Sequence, residues 1–531
     1  QDPAGARECM ERALPAYERE HGAGSLETLV LVSGLGTLAL RIGDVREFWE
    51  EQDAWADRIE LARKAGRIGD LLVLADEAPV AAFRADAWIK AGVALRQAER
   101  FDFALEQFER GLEIEPEHLR GLRETGICLQ RLALARAAGH SLDRARAHYR
   151  SVLRRYPQDP ETWALLGRVD KDAWTAAWRR PGQTPQQMLA EAAYEDALLR
   201  AAIESYATGY RANPGHYYSG INALTLMHLH RHLTGDARCD REMATMAGAV
   251  RFAAESEPDE RQYFWSKATL GDLEVLVGTP DTVETAYKEA IARNAKDWFA
   301  LNSSRAQLQV LGELGFRPDT VEVGIAALDR ALQKLARPED RWQPRQVFLF
   351  SGHMVDAPDR AEPRFPGEKE SVAAQEIAEA LDRLAAGPDD LALTQGACGG
   401  DLLFTEACLR RGVKVHWLQP HREPEFIQKS VIKGGEAWRN RYLEAEARLA
   451  ALPRAAPVEL GEPPKNSGEG YPYERCNIWL LYTALACGVD KVRFVCLWNG
   501  GGGDGPGGTA HMYSEVKRRT GQVTWIDVRT I

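Results

Sequence analysis

The sequence predicts two architectures in series, an all-α array of helical repeats over about residues 1–335 and a doubly wound parallel α/β domain over about 342–531. Three observations carry this reading. Small and aromatic residues recur at a fixed helical-hairpin spacing from Trp88 to Pro214. From Gln346 onward the apolar residues come instead in short runs rich in β-formers, alternating with helical stretches. Three of those runs end in glycine-bearing turns. Alternating strands and helices with such turns predict a parallel sheet.

A chain of 531 residues exceeds one typical core, so roughly two to four domains are expected. The net charge of −11 argues against direct nucleic-acid binding, which needs a basic face. No apolar run approaches the ~18–20 residues needed to span a bilayer, so no membrane contact is expected. The first residues, Gln1-Asp2-Pro3-Ala4-Gly5, lack the charged and apolar regions of a secretion signal. The eight cysteines form no CxxC pair, which disfavours a zinc site and fits reduced thiols in a cytoplasmic protein. Cys398 stands apart, inside a glycine-rich turn.

In the helical part, Trp88 and Gly92 mark one helix, Ala104 and Phe108 the next, and Pro116 closes the unit. Gly126 keeps the register 34 residues after Gly92, with Tyr149 and Pro157 following a short insertion. Trp163, Leu166 and Gly167 open another unit, and Ala202, Tyr206, Gly209 and Pro214 end one. This is the order of a tetratricopeptide repeat, in which a small residue sits where two helices cross and an aromatic fills the hole beside it. Trp88, Trp163 and Tyr206 are therefore read as core. Residues 1–84 and 250–335 are helical by apolar periodicity, with a degenerate register. Such a stack leaves a concave face on which a protein partner is expected.

The stretches His216-Tyr217-Tyr218-Ser219-Gly220-Ile221-Asn222 and Phe264-Trp265-Ser266-Lys267-Ala268-Thr269-Leu270 resemble the central regulatory, TRAF-binding region of apoptosis signal-regulating kinases. Bacterial proteins of the TPR-S type carry the same region. The resemblance covers about residues 85–315 and implies a signalling or defence scaffold. Asn222 reads either as functional or as a buried side chain bonded to a turn.

Residues 336–344 mix charge and proline and read as the linker to a domain at 345–531. Gln346–Phe350 is a continuous apolar run leading to Ser351, Gly352 and His353. Asp390–Thr394 leads to Gln395-Gly396-Ala397-Cys398-Gly399-Gly400-Asp401, and Lys491–Trp498 leads to Asn499 and a glycine-dense loop ending in Gly507, Gly508 and Thr509. Strands are also expected at 413–418 and 522–527, and helices near 368–386, up to Arg411, and near 510–519. In such sheets ligands bind where strand carboxyl ends meet helix starts. There, glycines let a phosphate approach the backbone and the first helical N–H groups supply donors.

These motifs resemble the SLOG superfamily of Rossmann-like domains, which includes the DNA-processing protein A fold and the Lonely Guy enzymes. The resemblance implies a pocket for a nucleotide or nucleotide-derived messenger. Gly352, Gly396, Gly399, Gly400, Gly507, Gly508 and Thr509 would hold phosphates. Asp401 would cap its helix or meet a ribose hydroxyl, while Trp498 and Asn499 would border the base or sugar. Trp498 also reads as a strand-end core residue, and His353 as a phosphate contact, a proton carrier or a plain turn residue. Arg475 and Asn477, at a helix start in Tyr471-Pro472-Tyr473-Glu474-Arg475-Cys476-Asn477, lie toward the same edge. Arg475 reads as a phosphate clamp or as an internal salt bridge.

Lonely Guy-type phosphoribohydrolases carry a P-G-G-x-G-T-x-x-E signature. Here Pro506-Gly507-Gly508-Thr509 runs into Ala510-His511, and Glu515 falls beyond the expected offset. Glu406 and Glu515 are the glutamates to test as catalytic carboxylates, each equally readable as a solvated helix residue. No P-loop, G-x-S-x-G or H-E-x-x-H motif occurs. The expectation is a nucleotide sensor with no required cofactor. An N-glycosidic nucleotide or NAD hydrolase is the alternative, and a scaffold without a ligand a third reading. An accompanying Mg²⁺ and homo-oligomerisation stay open.

Overall fold

A computed structural model describes residues 45–77, 84–259, 262–294, 297–335, 342–357, 360, 362–463, 467, 468, 470–501, 508–520 and 522–531. Residues 1–44, residues 336–341 of the expected linker, and Gly507 lie outside the described residues. The fold is an α-helical repeat solenoid plus a parallel α/β domain. Among the described residues, contacts group those of 45–116 with those of 343–531 in one compact unit, and those of 117–335 with Trp342 in another.

Among the described residues of the first unit, the helices before the sheet are α1 (Val45–Lys64), α2 (Ile68–Asp76), α3 (Arg84–Gln97) and α4 (Phe101–Ile114). Helix α2 has the sequence IGDLLVLAD and is apolar on nearly every face, which requires cover all round. Leu71, Leu72, Val73 and Leu74 are all buried, each contributing roughly 1.5–3 kcal/mol. Gly92 of α3 lies against the ring of Phe108 on α4, where an added Cβ would sit 2.5 Å from Cε1.

The second unit runs through α5 (Leu119–Leu134), α6 (Leu142–Arg155), α7 (Pro160–Trp178), α8 (Pro185–Tyr194), α9 (Asp196–Ala212), α10 (Tyr217–Thr234), α11 (Asp240–Glu255), α12 (Tyr263–Val277), α13 (Pro280–Asn294), α14 (Trp298–Glu313) and α15 (Pro318–Leu332). The glycine-against-aromatic crossing repeats at Gly126 with Tyr149 and Gly167 with Tyr206. It appears again at Gly271 with Tyr287, where the sequence register was degenerate. Helix starts are capped by side chains: Asp159 accepts from the Thr162 amide, and Thr184 with Gln187 forms a capping box. Helix α8 is an insertion within one hairpin, seated where the Trp174 indole donates to Ala192 O at 3.2 Å. Trp174 and Trp178 meet edge-on and are fully buried. Among the described residues no helix is long and apolar enough to cross a membrane.

The α/β part comprises β1 (Val347–Gly352), α16 (Glu370–Arg383), β2 (Leu391–Thr394), α17 (Gly400–Arg410), β3 (Lys414–Gln419), α18 (Glu423–Phe426), α19 (Glu436–Glu446), β4 (Arg454–Ala455), α20 (Ala456–Glu459), α21 (Tyr471–Leu485), β5 (Val492–Trp498), α22 (Thr509–Thr520) and β6 (Val523–Asp527). The strands lie in the order β4-β3-β2-β1-β5-β6, and every pairing is parallel. Val347, Phe348 and Leu349 of β1 are fully buried, as a strand covered on both faces must be. The chain runs outward from β1 through β2, β3 and β4 and then returns to β5 on its other side. The direction of winding reverses between β1 and β5, which makes their carboxyl ends the switch point of the sheet.

Helices α2 and α21 join the N-terminal hairpins to this sheet. Gly69 lies directly against the backbone of Thr483. Asp70 is buried and accepts the Trp479 indole N–H at 2.7 Å and the Arg454 guanidinium. Asp76 accepts from Tyr482 Oη at 2.7 Å and Arg110 Nη1 at 2.5 Å.

Candidate ligand site at the carboxyl edge of the sheet

Ser351, Gly352 and His353 end β1, Trp498 and Asn499 end β5, and Gly508 and Thr509 lead into α22, so all seven meet at the switch point. Ser351 Oγ donates to Thr509 Oγ1 at 3.3 Å. His353 ties three elements together. Its amide donates to Leu497 O at 3.0 Å, its carbonyl accepts from the Gly400 amide at 3.0 Å, and its Nε2 accepts from the Asn499 amide at 3.2 Å. An imidazole accepting at Nε2 is neutral with its proton on Nδ1. Burial lowers its pKa, so the ring stays neutral at pH 7.

The glycines have specific steric reasons. Gly396 and Gly399 adopt φ of 86° and 94°, in the left-handed half of φ space. A Cβ on Gly399 would lie 2.8 Å from His353 O, and one on Gly400 would lie 3.1 Å from the Gly352 Cα. A Cβ on Gly396 would strike the Trp417 indole at 2.8 Å. The loops after β1 and β2 therefore touch backbone to backbone. Most amides of the second loop are spoken for: Cys398 donates to Ser430 O, Gly400 to His353 O, and Ala397 to Asp401 Oδ2 at 3.3 Å.

The Asp401 carboxyl faces the 395–397 turn and the Thr394 hydroxyl, so it closes this loop. Burial pushes its pKa up to about 6 against those donors. Gln395 Nε2 donates to Asn477 Oδ1 at 3.0 Å, so these two expected site residues are partners. Arg475 is buried in a bidentate pair with Glu77, Nε–Oε1 at 2.6 Å and Nη2–Oε2 at 2.5 Å, and also donates to Gly461 O and Leu460 O. The internal salt bridge is the reading that the geometry realises for this residue.

Trp498 packs on Tyr513 and Trp525, with centroids 5.2 and 5.6 Å away, and its indole donates to Gly501 O at 3.0 Å. Glu406 takes a bidentate pair from Arg441 at 2.7 and 2.8 Å, and Arg441 also binds Glu370 at 2.6 Å. Glu515 pairs with Arg518 at 2.5 Å. Cys398 is fully buried and its thiol pKa is pushed up to about 11 by burial, which makes it unreactive.

One residue at this edge escaped the sequence reading. His421, just beyond β3, is buried and packs edge-on against Tyr473 at 5.3 Å. The Tyr473 hydroxyl is 3.3 Å from Ser430 Oγ. A histidine two residues past a strand end was the available signal. Among the described residues no group of three or more His, Cys, Asp or Glu is placed to hold a metal ion.

The fold defines a class: helical repeats together with a parallel α/β domain whose sheet has a switch point between β1 and β5. Residues 87–227 match a family model described as Tetratricopeptide Repeats-Sensor. No curated protein matches the chain. Among solved structures, a thermophilic TPR protein of Thermus thermophilus, TTC0263, is 16% identical over 42% of this chain and 99% of its own, with a TM-score of 0.30. The Cut9–Hcn1 hetero-tetramer of the APC/C is 12% identical over 62% of this chain and 55% of its own, at 0.31. Human IFIT1 bound to m7Gppp-AAAA is 12% identical over 84% and 86%, at 0.28.

Proposed function

We propose that this protein is a signalling scaffold whose α/β domain binds a nucleotide or nucleotide-derived messenger at the β1/β5 crevice, while its helical repeats engage a protein partner. The repeats support the interaction role, since stacked hairpins present an extended surface. The observation that carries the ligand reading is the convergence of Ser351, Gly352, Asn499 and Thr509 at the switch point. The first amides of the 12-residue helix α22 lack intrahelical partners by geometry and suit an anionic group there. Binding is favoured over hydrolysis because Glu406 and Glu515 are both held in ion pairs.

The test is a thermal-shift and mass-spectrometric screen of the chain against nucleotides, cyclic nucleotides, NAD and ADP-ribose, with and without Mg²⁺. Stabilisation by an unaltered ligand, lost in Thr509→Val and Ser351→Ala, is the expected result. Release of free base or ribose phosphate would replace the sensor by an enzyme. Silence across the panel would refute the nucleotide reading.

A further inference from the structure

One cluster in the solenoid unit holds charged groups of opposite sign apart instead of pairing them. Arg168, Lys171 and Asp172 share one face of α7 at i, i+3 and i+4 spacing and are half-buried. Both nitrogens that Arg168 commits, Nε at 2.9 Å and Nη2 at 2.7 Å, go to the neutral Gln130 Oε1. The same Gln130 amide turns its Nε2 to Asp172. Lys171 Nζ donates to Gln307 Oε1 on α14 at 2.8 Å and to Asn222 Oδ1 on α10 at 3.4 Å. Asp272 on α12, which also faces Lys171, takes its hydrogen bond from Tyr287 at 2.5 Å.

Among the described residues, neither Arg168 nor Lys171 makes an ion pair, whereas other arginines of this unit do: Arg146 with Asp170 at 2.7 Å, Arg179 with Glu313 at 2.5 Å, and Arg251 with Glu274 at 2.6 Å. Amide side chains act as spacers that keep the two cations from their neighbouring carboxylates. Two half-buried cations one turn apart with only neutral acceptors offer charged donors to an oxyanion. The carboxylates of Asp172 and Asp272 offer acceptors for hydroxyl groups on the same molecule. The Tyr218 ring, edge-on to Tyr206 at 6.2 Å, adds an apolar wall. Lys171 fits this environment: burial lowers its pKa, Asp172 and Asp272 raise it, and Arg168 lowers it further.

We infer that Arg168, Lys171, Asn222 and Gln307 form a second small-molecule site, in the solenoid and separate from the sheet crevice, for a hydroxylated phosphate of the sugar-phosphate kind. The phosphate sits between Arg168 and Lys171, and the sugar hydroxyls face Asp172 and Asp272. The site does not depend on the nucleotide reading of the α/β domain.

The experiment titrates the 531-residue chain calorimetrically with ribose 5-phosphate and with inorganic phosphate. It also follows acetylation of Lys171 by mass spectrometry. Ribose 5-phosphate binds saturably and more tightly than inorganic phosphate, and protects Lys171 from acetylation in the unaltered chain. Arg168→Gln and Lys171→Gln each weaken it about tenfold or more, the scale of one charged hydrogen bond. Lys171→Arg stays within about threefold, because the charge is kept, and Thr509→Val leaves binding unchanged. No saturable binding, absence of Lys171 protection, or affinity that follows Thr509 instead of Lys171 would each overturn the site. Binding of an acidic peptide in place of the sugar phosphate would overturn it too.

Discussion

Replacing Glu77 by glutamine tests whether Arg475 is an internal clamp. Glu77 keeps its shape in the variant but loses its charge, leaving the guanidinium, whose side chain is 3% exposed, with the carbonyls of Gly461 and Leu460 and a neutral amide. Tyr471 also loses its charged acceptor, now 3.0 Å away. Removing one partner of a buried pair costs about 3–5 kcal/mol. The lower end applies here, because two carbonyls remain and Glu77 itself is 17% exposed. At about 1.4 kcal/mol per decade, 3 kcal/mol corresponds to roughly two decades in local opening. Hydrogen exchange across 471–485 reads this directly, which matters because a chain of two units has no single unfolding free energy. Protection of α21 falls about 100-fold while α14 and α15 are unchanged. In a double-mutant cycle with Arg475→Met the two losses are strongly non-additive. Unchanged exchange in α21, or additive losses, would refute the clamp and return Arg475 to the ligand contacts.

Three further outcomes follow from the same geometry. Gly126→Ala drives a methyl group into the Tyr149 ring and destabilises the solenoid by about 1–3 kcal/mol, whereas Gly248→Ala on α11 meets open space and stabilises by roughly 0.5–1 kcal/mol; thermal melts of the two variants shift in opposite directions. Asp401 has a folded-state pKa of about 6 against a reference of 3.8, so the folded protein holds the extra proton between those values. Its contribution to stability is complete below about pH 4 and is lost as pH rises through 6. Asp401→Asn removes that dependence, and the difference between variant and parent in urea denaturation shifts by about 2 kcal/mol from pH 4 to pH 7.5. Glu406→Gln breaks the pair with Arg441 and lowers stability by about 1 kcal/mol, while ligand binding in the screen stays as it is.

What the sequence discloses depends on how far apart the interacting residues lie. Gly92 and Phe108, Gly126 and Tyr149, and Gly167 and Tyr206 each meet within one hairpin or its inserted equivalent, so their spacing survives in the linear text. Gly271 and Tyr287 make the same crossing, but Trp265 precedes Gly271 by six residues where Trp88 and Trp163 precede their glycines by four, and Ala295 stands where a closing proline would follow Tyr287. The strands of the sheet are legible because buried parallel strands are continuous apolar runs. β4 is not, since two residues carry no pattern. The α2–α21 contact joins residues some 400 positions apart. Taken singly, Asp70, Asp76, Glu77 and Arg475 look like solvated helix charges, and only the fold shows that they bind one another or an aromatic N–H or O–H.

That nonlocal contact bears on how a ligand at the sheet edge could act at a distance. Helix α21 touches the strand ends at its start, where Asn477 accepts from Gln395 beside the glycine turn. Farther along, the same helix is gripped by α2 through Trp479, Tyr482 and Thr483. Arg475, two residues before Asn477, fixes its rotation by bonding to Glu77 and to two carbonyls of the preceding loop. A helix pinned at three levels moves as a body, because tight packing leaves discrete arrangements in place of continuous deformation. A ligand that takes Gln395 from Asn477 changes one of the three pins and biases the N-terminal hairpins by its differential affinity for the two arrangements. In Gln395→Ala the helix loses that pin without any ligand, so exchange in α2 rises in the variant and ligand addition no longer changes it. Exchange in α2 that still responds to ligand in Gln395→Ala would place the coupling elsewhere.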